Sequence, residues 1–392
     1  MKFNILIYCI LGSITLRAQN ISKTMLRLPD TGETMSYTNT FGEDHDFLIN
    51  PPFFVINANG TVLDTVTGLM WQQTDGGEMT YENAIEYCKN LNLGSFQDWR
   101  LPDIHEAFSI LNHQYSNPAL DQTVFTSSGA EYWWSSDRQL NDSSKVWVSN
   151  SGGGIGNHPK KETISAGGSK KFHVRAVRLN HIPLQFSTQF IDNGNQTITD
   201  VFTQLTWQKI PNTDTLTWEQ ALAYANSLEL GGSNDWRIPN IKELQSLHHV
   251  KYINPAIQSG IFQIGNSQKF WSSTTLPNQN TKAWYMNTQF GITSYDSKTL
   301  KHYVICVTNN QLNTGLHQPQ INPAEVLFNP FHDYIAIKNS QPGFQYNLKD
   351  VFGHDVFEGE RIELYDFSNL PNGLYILSII GNGVKRIKLI KE

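Results

Sequence analysis

The sequence predicts an α+β protein with two tandem domains, each of two helices plus a small antiparallel sheet, and a C-terminal all-β sandwich. Three observations predict this class. Segments of the first half of the chain return in the same order in the second half. Each copy passes from helical spacing of apolar residues to short runs of β-branched and aromatic residues. The last part of the chain alternates strand and turn signals over the length of a small β-sandwich.

The first residues have the layout of a signal peptide. Lys2 precedes an apolar run over 3–16 and the small residue Ala18, and this run is short for a membrane span. We expect residues 1–19 to be removed on export and residues 20–52 to lead into the first copy. No later stretch has the length and apolarity of a membrane span. The net charge is only −6 over 392 residues, which argues against a nucleic-acid-binding protein with its basic face.

The duplication is clearest at one motif. Residues 87–102 read YCKNLNLGSFQDWRLP, and residues 224–239 read YANSLELGGSNDWRIP. Matching segments on both sides of the motif give each copy the length of a domain, which indicates a tandem duplication. The predicted units are repeat 1 (53–180), repeat 2 (188–310), a linker (311–321) and the β-sandwich (322–392).

Large rings at matching places are expected to be core residues. Four pairs of tryptophans coincide between the copies: Trp71 and Trp207, Trp99 and Trp236, Trp134 and Trp271, Trp147 and Trp284.

The repeated Asp-Trp-Arg motif is expected to be structural. It forms a short strand between two helices, and its Asp and Arg are two residues apart, on one face of that strand. We predict that Arg100 and Arg237 hold the following helix through Glu106 and Glu243 by charge-assisted hydrogen bonds. A catalytic cluster is the less favoured interpretation. The motif residues are Asp98, Trp99, Arg100 and Glu106 in repeat 1, and Asp235, Trp236, Arg237 and Glu243 in repeat 2.

Several segments together resemble a known family. TGLMWQ, DWRLP with a Glu in the next helix, WSS and the closing VRAVR look like the C-terminal domain family of the Legionella collagen-like adhesin. The lead-in LPDTGETMSYTNTFGEDHDF looks like a segment that often precedes such domains. The resemblance implies a C-type-lectin-like fold for each copy and binding of sulfated polysaccharide. Repeat 2 departs from the pattern, since Ile305 and Thr308 replace Arg175 and Arg178.

The C-terminal segment resembles a second family. Asn329-Pro330-Phe331 and the run LPNGLY at 370–375 are similar to the C-terminal sorting domain of the type IX secretion system of Bacteroidetes. The resemblance implies that this machinery is a partner and that the protein is secreted or attached to the outer-membrane surface. An ordinary β-sandwich appendage is the alternative interpretation.

The sequence shows no motif for catalysis, metal or cofactor. His105 begins HEAFS, but Ser109 stands where a zinc-protease helix needs its second histidine. There is no phosphate loop and no nucleophile elbow. The acidic GEDHDF, with Glu43, Asp44 and Asp46, lacks the longer oxygen-rich loop of a calcium site, so we expect a solvated loop. The chain is therefore predicted to be no enzyme.

One basic feature is found in this acidic chain. Repeat 1 carries extra, glycine-rich residues around 152–171. The loop would attract a polyanion such as a sulfated polysaccharide in a salt-dependent way, and a solvated loop without a ligand is the alternative. Its cationic residues are His158, Lys160, Lys161, Lys170 and Lys171.

Three functions stay open on the sequence. The first is a secreted or surface-attached protein that binds glycan. The second is a structural matrix protein without a specific ligand. The third and weakest is an enzyme like the formylglycine-generating enzymes, whose RLP…E stretch is similar to that at 100–106 but which need reactive cysteines.

Two cysteines remain after the signal peptide with Cys9 is removed. Cys88 lies in repeat 1 and Cys306 in repeat 2, in a compartment where disulfides persist. In the resembling family a cysteine of this helix would pair with one of the closing strand, but Ala176 and Ala225 occupy the partner positions. Two free buried thiols are expected, because a bridge needs Cα atoms within about 7 Å. An exchange of closing strands between the copies would instead bring Cys88 to Cys306.

Overall fold

The computed structural model describes residues 21–126, 129, 131–161, 170–258, 260–309, 325–326, 329–338, 344–380 and 384–392. Strands make up 35% of the described residues and helices 11%. The predicted α+β class with two lectin-like domains is therefore wrong, and the protein is mainly β. The helical spacing in each copy lasts only a few turns, whereas β-branched and aromatic runs fill the rest.

The predicted signal peptide and linker lie outside the described residues. Within those residues, no helix has the length and apolarity needed to cross a membrane.

The lead-in segment (20–52) and repeat 1 contain the first ten strands and two helices of the described chain. The lead-in contributes β1 (Ile21–Lys23) and a 3-10 turn (Asp44–Asp46). The elements of repeat 1 are β2 (Phe54–Ile56), β3 (Thr61–Asp64), β4 (Leu69–Gln72), β5 (Glu78–Met79), α1 (Tyr81–Asn90), α2 (Ile104–Ser109), β6 (Tyr132–Gln139), β7 (Asp142–Asn150), β8 (Ile155–Pro159), β9 (Phe172–His173) and β10 (Val177–Leu179).

Repeat 1 folds back on itself. Strands β2, β3 and β4 form a meander, and the closing strand β10 pairs antiparallel with β4. A second sheet has the order β5-β9-β6-β7-β8 and is antiparallel except for one bridge between β6 and β9. Helix α1 packs its Ala84 and Cys88 into the core beside Trp99 and Trp134. The repeat therefore begins and ends in the same sheet, and its helices lie between those strands along the chain.

Repeat 2 has the same plan with shorter strands. Its closing strand pairs within its own first sheet, in the order β12-β13-β14-β18, and the second sheet is β15-β16-β17. The copies therefore do not exchange closing strands. Its elements, preceded by β11 (Leu184–Phe186), which pairs with β1, are β12 (Phe190–Asp192), β13 (Thr197–Asp200), β14 (Thr206–Gln208), α3 (Trp218–Asn226), α4 (Ile241–Ser246), β15 (Lys269–Thr275), β16 (Lys282–Asn287), β17 (Ile292–Ser297) and β18 (Val307–Thr308).

The eight paired tryptophans are all buried, which confirms that they are core residues. Helix α3 begins with a capping box, in which the side chains of Thr217 and Gln220 each accept a hydrogen bond from the other residue's backbone N–H.

The two repeats pack on each other through equivalent residues. Ile104 and Trp147 of repeat 1 lie in one buried cluster with their counterparts Ile241 and Trp284 of repeat 2. Helix α2 contacts α4, and β8 contacts β17, where the N–H of Ile155 donates to Thr293 Oγ1 over 2.8 Å. The same surface of each copy is thus used, as in a two-fold interface between subunits. We call this contact the junction.

The glycine run before β8 is part of the junction. A Cβ added to Gly154 would lie 3.3 Å from both Trp284 Cζ3 and Thr293 Oγ1, and Gly153 has φ +100°. A side chain at these positions would crowd the ring or strain the backbone. The expected flexible basic loop is therefore wrong for residues 152–159, which form a packed turn and a strand. Residues 162–169 of that loop lie outside the described residues.

The acidic stretch of the lead-in is buried, so the predicted solvated loop is wrong. Glu43 and Asp44 are only 2% and 3% exposed. Glu43 accepts hydrogen bonds from the Ser36 hydroxyl and the Tyr37 N–H. Asp44 Oδ2 accepts from Thr31 Oγ1 at 2.8 Å and from Thr274 Oγ1 of repeat 2 at 2.5 Å. These donors replace the water that the carboxylates would otherwise bind.

A buried cation links the lead-in to both repeats. Lys242 of α4 is 1% exposed, and its Nζ donates to the carbonyl oxygens of Asp30 in the lead-in (2.9 Å) and Ser109 in repeat 1 (2.7 Å). Burial lowers the pKa of Lys242 to about 8, against the attraction of nearby carboxylates that include Asp64. One ammonium group therefore satisfies buried carbonyls of two other segments.

The C-terminal segment is all-β in its described part. Its larger sheet has the order β22-β21-β23-β24, with a separate core that includes Phe331 and Tyr346. It meets the lead-in where Arg27 donates to the Ile337 carbonyl over 2.7 Å. Its elements are β19 (Glu325–Val326), β20 (Ile337–Lys338), β21 (Gln345–Lys349), β22 (Asp355–Gly359), a 3-10 turn (Ile362–Leu364), β23 (Gly373–Ile380) and β24 (Val384–Lys391).

We predict that Lys242→Met lowers the free energy of unfolding by about 2–3 kcal/mol, because the buried carbonyls of Asp30 and Ser109 lose their donor. Urea unfolding of the full chain measures this change. The exposed Lys251 provides the control, since Lys251→Met should shift stability by less than about 0.5 kcal/mol. Equal stabilities of the two variants would contradict the role given to Lys242.

Asp44 should make stability depend on pH. Burial raises its pKa to about 7, although hydrogen bonds from Thr274 and Thr31 act in the opposite direction, whereas an unfolded Asp titrates near about 3.9. The folded state thus holds the proton more tightly than the unfolded state does. The free energy of unfolding therefore falls as the pH rises from the unfolded pKa to the folded pKa. The stability of Asp44→Asn relative to the wild type should therefore rise between about pH 4 and pH 7, by at most about 1.4 kcal/mol per pH unit, and stay level above that range. Thermal unfolding across this range, with a stability difference independent of pH, would exclude the effect.

Candidate functional site

The structure brings each motif arginine onto a helix cap. Arg100 donates to both carboxylate oxygens of Glu106, over 2.7 and 2.6 Å. Glu106 is the third residue of α2, and its Oε2 also accepts the N–H of the capping residue Asp103 at 2.8 Å. Arg237 and Glu243 repeat this arrangement at 2.6 Å. Both carboxylate oxygens of Glu106 and of Glu243 thus accept hydrogen bonds from within the fold. The cluster therefore has a structural role.

Asp98 does not share the partner of Arg100, the charged residue two positions later in the motif. Its carboxylate accepts from Arg178 Nε and Nη2 of the closing strand, over 2.7 and 3.1 Å. The matching Asp235 of repeat 2 is exposed and faces a closing strand with Thr308 in place of that arginine. The motif tryptophans Trp99 and Trp236 are buried. The backbone pairing of the closing strand is equivalent in the two copies, with Arg100 opposite Val177 and Arg237 opposite Val307, whereas the Asp–Arg ion pair belongs to repeat 1.

The two thiols are far from a reactive arrangement. Cys88 and Cys306 are free and buried. Cys88 packs with Ala176 in one core cluster, and Cys306 packs with Ala225 in another. Each cysteine thus lies beside the alanine that occupies the place of its family partner. Since each closing strand stays in its own repeat, no contact joins the two thiols.

The predicted cations of repeat 1 surround three aromatic rings. The rings of Tyr132, His158 and Phe172 contact one another, with centroids 4.8 Å apart for Tyr132–His158 and Tyr132–Phe172 and 5.4 Å for His158–Phe172. Lys170 Nζ lies 5.3 Å from the Phe172 ring and 3.5 Å from His158 Nδ1. Lys160 Nζ lies 5.8 Å from the neighbouring ring of Tyr81.

The other two lysines are exposed and adjoin Lys160 and Lys170 in sequence. Lys171 directly precedes β9 and is exposed. Lys161 Nζ is 3.7 Å from the carboxylate of Glu82, with both side chains more than half exposed. An exposed ion pair of this kind contributes little to stability. Lys161 therefore keeps most of its long-range attraction for anions. We call Tyr132, His158, Phe172 and the four lysines 160, 161, 170 and 171 the aromatic-basic patch.

No sequence motif singles out the rings of this patch. Tyr132 and Phe172 belong to segments whose β-branched and aromatic residues predict strands. Their proximity to His158 depends on the order of β9, β6, β7 and β8 in one sheet.

Repeat 2 has an ion triad at the matching positions. Strand register aligns Asp296, opposite Ala283, with His158, opposite Val146. In repeat 2, Lys269 Nζ and His302 Nε2 contact Asp296 Oδ2 at 2.8 and 3.0 Å. Lys269 and His302 correspond in sequence to Tyr132 and Phe172. The carboxylate thus pairs with the Lys269 ammonium and also contacts the His302 ring, whose pKa is lowered by burial.

A groove lies beside the junction. It has a volume of about 740 Å³ and is lined from both repeats. Repeat 1 supplies amides and one ring, among them Asn117, Gln122 and Tyr132, and repeat 2 supplies Trp284 and Tyr295. Within the described part of the chain, no group of three or more His, Cys, Asp or Glu side chains is arranged to hold a metal ion.

Comparison with family models identifies both repeats. The family described as Lcl C-terminal domain matches residues 60–178 and 196–308, together more than half of the chain. No curated protein sequence matches. The C-terminal domain resemblance inferred from the motifs is therefore confirmed, whereas no match identifies residues 322–392 as a sorting domain.

One solved structure gives a weak alignment. PorZ of Porphyromonas gingivalis, described as an essential bacterial surface component of the type IX secretion system, is 12% identical, with a TM-score of 0.20. The alignment covers 86% of this chain and 38% of the PorZ chain, so this chain spans well under half of that protein. At this TM-score the alignment does not establish a common fold.

We predict that both thiols resist a thiol reagent in the native protein. Burial raises the pKa of Cys88 to about 12 and also raises that of Cys306, and the thiolate is the reactive form. Reaction with Ellman's reagent should require denaturant, and non-reducing peptide mapping should find no bridge. Ser143→Cys, at an exposed position, should react in the native state. A Cys88–Cys306 linked peptide would contradict the structure.

Proposed function

The chain belongs to the Lcl C-terminal domain family, and from this premise we propose that it is a surface-displayed protein that binds a polyanionic polysaccharide. The binding site is the aromatic-basic patch of repeat 1. The observation that carries the proposal is the contrast between the repeats, because one edge of the sheet holds rings under lysines while its counterpart holds an ion triad closed by Asp296.

The chemistry of the patch suits a sulfated sugar chain. Lysine ammonium groups attract sulfate and carboxylate groups at long range and donate charge-assisted hydrogen bonds at contact. Tyr132 and His158 are the partly exposed rings of the patch and can offer apolar surface to the C–H faces of sugar rings, whereas Phe172 is 9% exposed and supports them from the core. Lys160 and Lys170 lie over rings, so the two kinds of contact are adjacent. A polysaccharide that presents both anions and apolar faces satisfies both.

Binding without catalysis is the accompanying proposal. The Arg–Glu clusters of the motif are used in helix capping, and the thiols are buried in separate cores. An enzyme like the formylglycine-generating group would need an accessible reactive cysteine. A structural matrix protein is the remaining alternative and would show no saturable binding to sulfated chains.

Surface display rests on the two chain ends. The N-terminal residues have the layout of a signal peptide, and residues 322–392 resemble a type IX sorting domain. We assign export to that machinery, with the repeats as the displayed part. Deletion of residues 322–392 should then retain the protein inside the cell, measured by fractionation. Export of the truncated chain at the wild-type level would refute this assignment and leave the binding proposal untouched.

The patch is tested with four lysine substitutions. The variant Lys160→Ala/Lys161→Ala/Lys170→Ala/Lys171→Ala should lose at least about tenfold in affinity for heparin, equivalent to about 1.4 kcal/mol. The wild-type affinity should also fall as salt is raised, since screening weakens exposed charges. Surface plasmon resonance on immobilised heparin measures both quantities.

A control variant separates the patch from net charge. Lys89, Lys251, Lys301 and Lys388 are exposed and lie elsewhere, so changing these four to Ala alters the net charge equally. This control should bind heparin almost as the wild type does. Equal losses in both variants would reduce the binding to non-specific attraction, and no loss in the patch variant would refute the site.

A further inference from the structure

The groove beside the junction is a second place where a ligand fits, separate from the lysines. Its volume of about 740 Å³ lies within the range of small-molecule sites. Repeat 1 supplies one wall through residues 117–118, 122, 131–132 and 150–154, and repeat 2 supplies the other through 284 and 293–295. Neither repeat alone would form it.

Polar groups of this groove have unused hydrogen-bonding capacity. The side chains of Asn117, Gln122, Ser294 and Tyr295 make no hydrogen bond to any described residue. Carboxamides and hydroxyls each both donate and accept. A ligand whose groups also donate and accept, as sugar hydroxyls do, matches this set.

Aromatic surface is present between these polar groups. Tyr295 is 38% exposed, whereas Trp284 beside it is only 2% exposed, with ring centroids 5.4 Å apart. Trp284 is fixed by the junction, and Tyr295 is the ring that solvent reaches. Tyrosine combines an apolar face with a polar hydroxyl, which suits the alternating C–H and O–H surfaces of a pyranose.

The wall from repeat 1 is held in place before any ligand binds. The N–H groups of Asn117 and Ala119 both donate to the Ser151 carbonyl, over 3.2 and 2.7 Å. The Ser151 N–H in turn donates to the Glu131 carbonyl over 2.9 Å. The Asn150 carboxamide accepts the N–H of Gly154 at 3.1 Å. A wall fixed in this way loses little conformational entropy on binding.

Charge distinguishes this groove from the aromatic-basic patch. Among the described residues that line it there is no lysine or arginine, and the charged one is Glu131. The nearest ammonium group to its exposed ring is that of Lys282, whose Nζ lies against Tyr295, 5.1 Å from the ring centroid. A sulfated chain would be repelled by the Glu131 carboxylate and would meet this single lysine instead of a cluster of cations. The ligand chemistry that fits is therefore uncharged, rich in hydroxyls and of oligosaccharide size.

We propose that the groove between the two repeats binds an uncharged oligosaccharide, with Asn117, Gln122, Ser294 and Tyr295 as its contacts. This site goes beyond the proposed binding of polyanions and uses different residues. Tyr132 alone belongs to both, since it lines the groove and packs on His158. The two sites are thus neighbours on one face.

The test uses uncharged sugars and the full chain. Cello-, malto-, chito- and manno-oligosaccharides are titrated into the protein by isothermal calorimetry at low and high salt. At least one class should bind, with an affinity that changes little with salt because no ion pair is involved. Gln122→Ala/Tyr295→Ala should weaken that binding by about tenfold or more. Tyr365→Ala, at a similarly exposed tyrosine of the C-terminal segment, is the matched control and should leave it unchanged.

The outcomes separate the two sites. The groove variant should keep its heparin affinity, and the four-lysine patch variant should keep its affinity for the uncharged sugar. Absence of binding by all four sugar classes, or equal binding by wild type and groove variant, would overturn the groove proposal. In either case, a loss of heparin binding in the four-lysine patch variant would still support the polyanion site. Circular dichroism of the groove variant checks that a loss of binding is not a loss of fold.

Discussion

The structure depends on the burial of one face of each repeat against the other. Helices α2 and α4 cannot expose Ile104 and Ile241 to water without losing the apolar burial that stabilises them, and the junction covers both. Burial also removes polar backbone groups from water. Lys242 compensates for this loss by donating hydrogen bonds to the carbonyls of Asp30 and Ser109. A buried polar group without a partner is costly, so the lead-in is needed to complete the junction.

Duplication followed by divergence explains why only one repeat carries the candidate patch. The capping clusters of Arg100 and Arg237 are the same in both copies because each copy needs them to start its second helix. Residues at the sheet edge are under no such constraint. There, one copy has Asp296 in contact with Lys269 and His302, and the other has His158 among rings. An edge position can change its chemistry at little cost to stability.

The candidate patch was only half visible in the sequence. Its lysines stand out because they cluster in an acidic chain, and the structure places Lys160 and Lys170 beside aromatic rings. The rings of Tyr132 and Phe172 were not selected, because residues far apart in sequence meet there only through sheet order. The groove was not predicted for the same reason, since Gln122 and Tyr295 come from different copies. The burial of the acidic lead-in could not be predicted either, because Asp44 is satisfied by Thr31 and by Thr274, which is far from it along the chain.

The sequence by itself determined the duplication, the buried tryptophans, the capped helix starts and the separation of the two cysteines into different copies. These follow from spacing, capping residues and side-chain type, which act over a few turns of chain or recur in register. Only the tertiary structure decided the mainly β class, the burial of Glu43 and Asp44, and the groove between the repeats. Those depend on which surfaces meet, and an antiparallel pair or a junction joins residues whose distance along the chain carries no local signal.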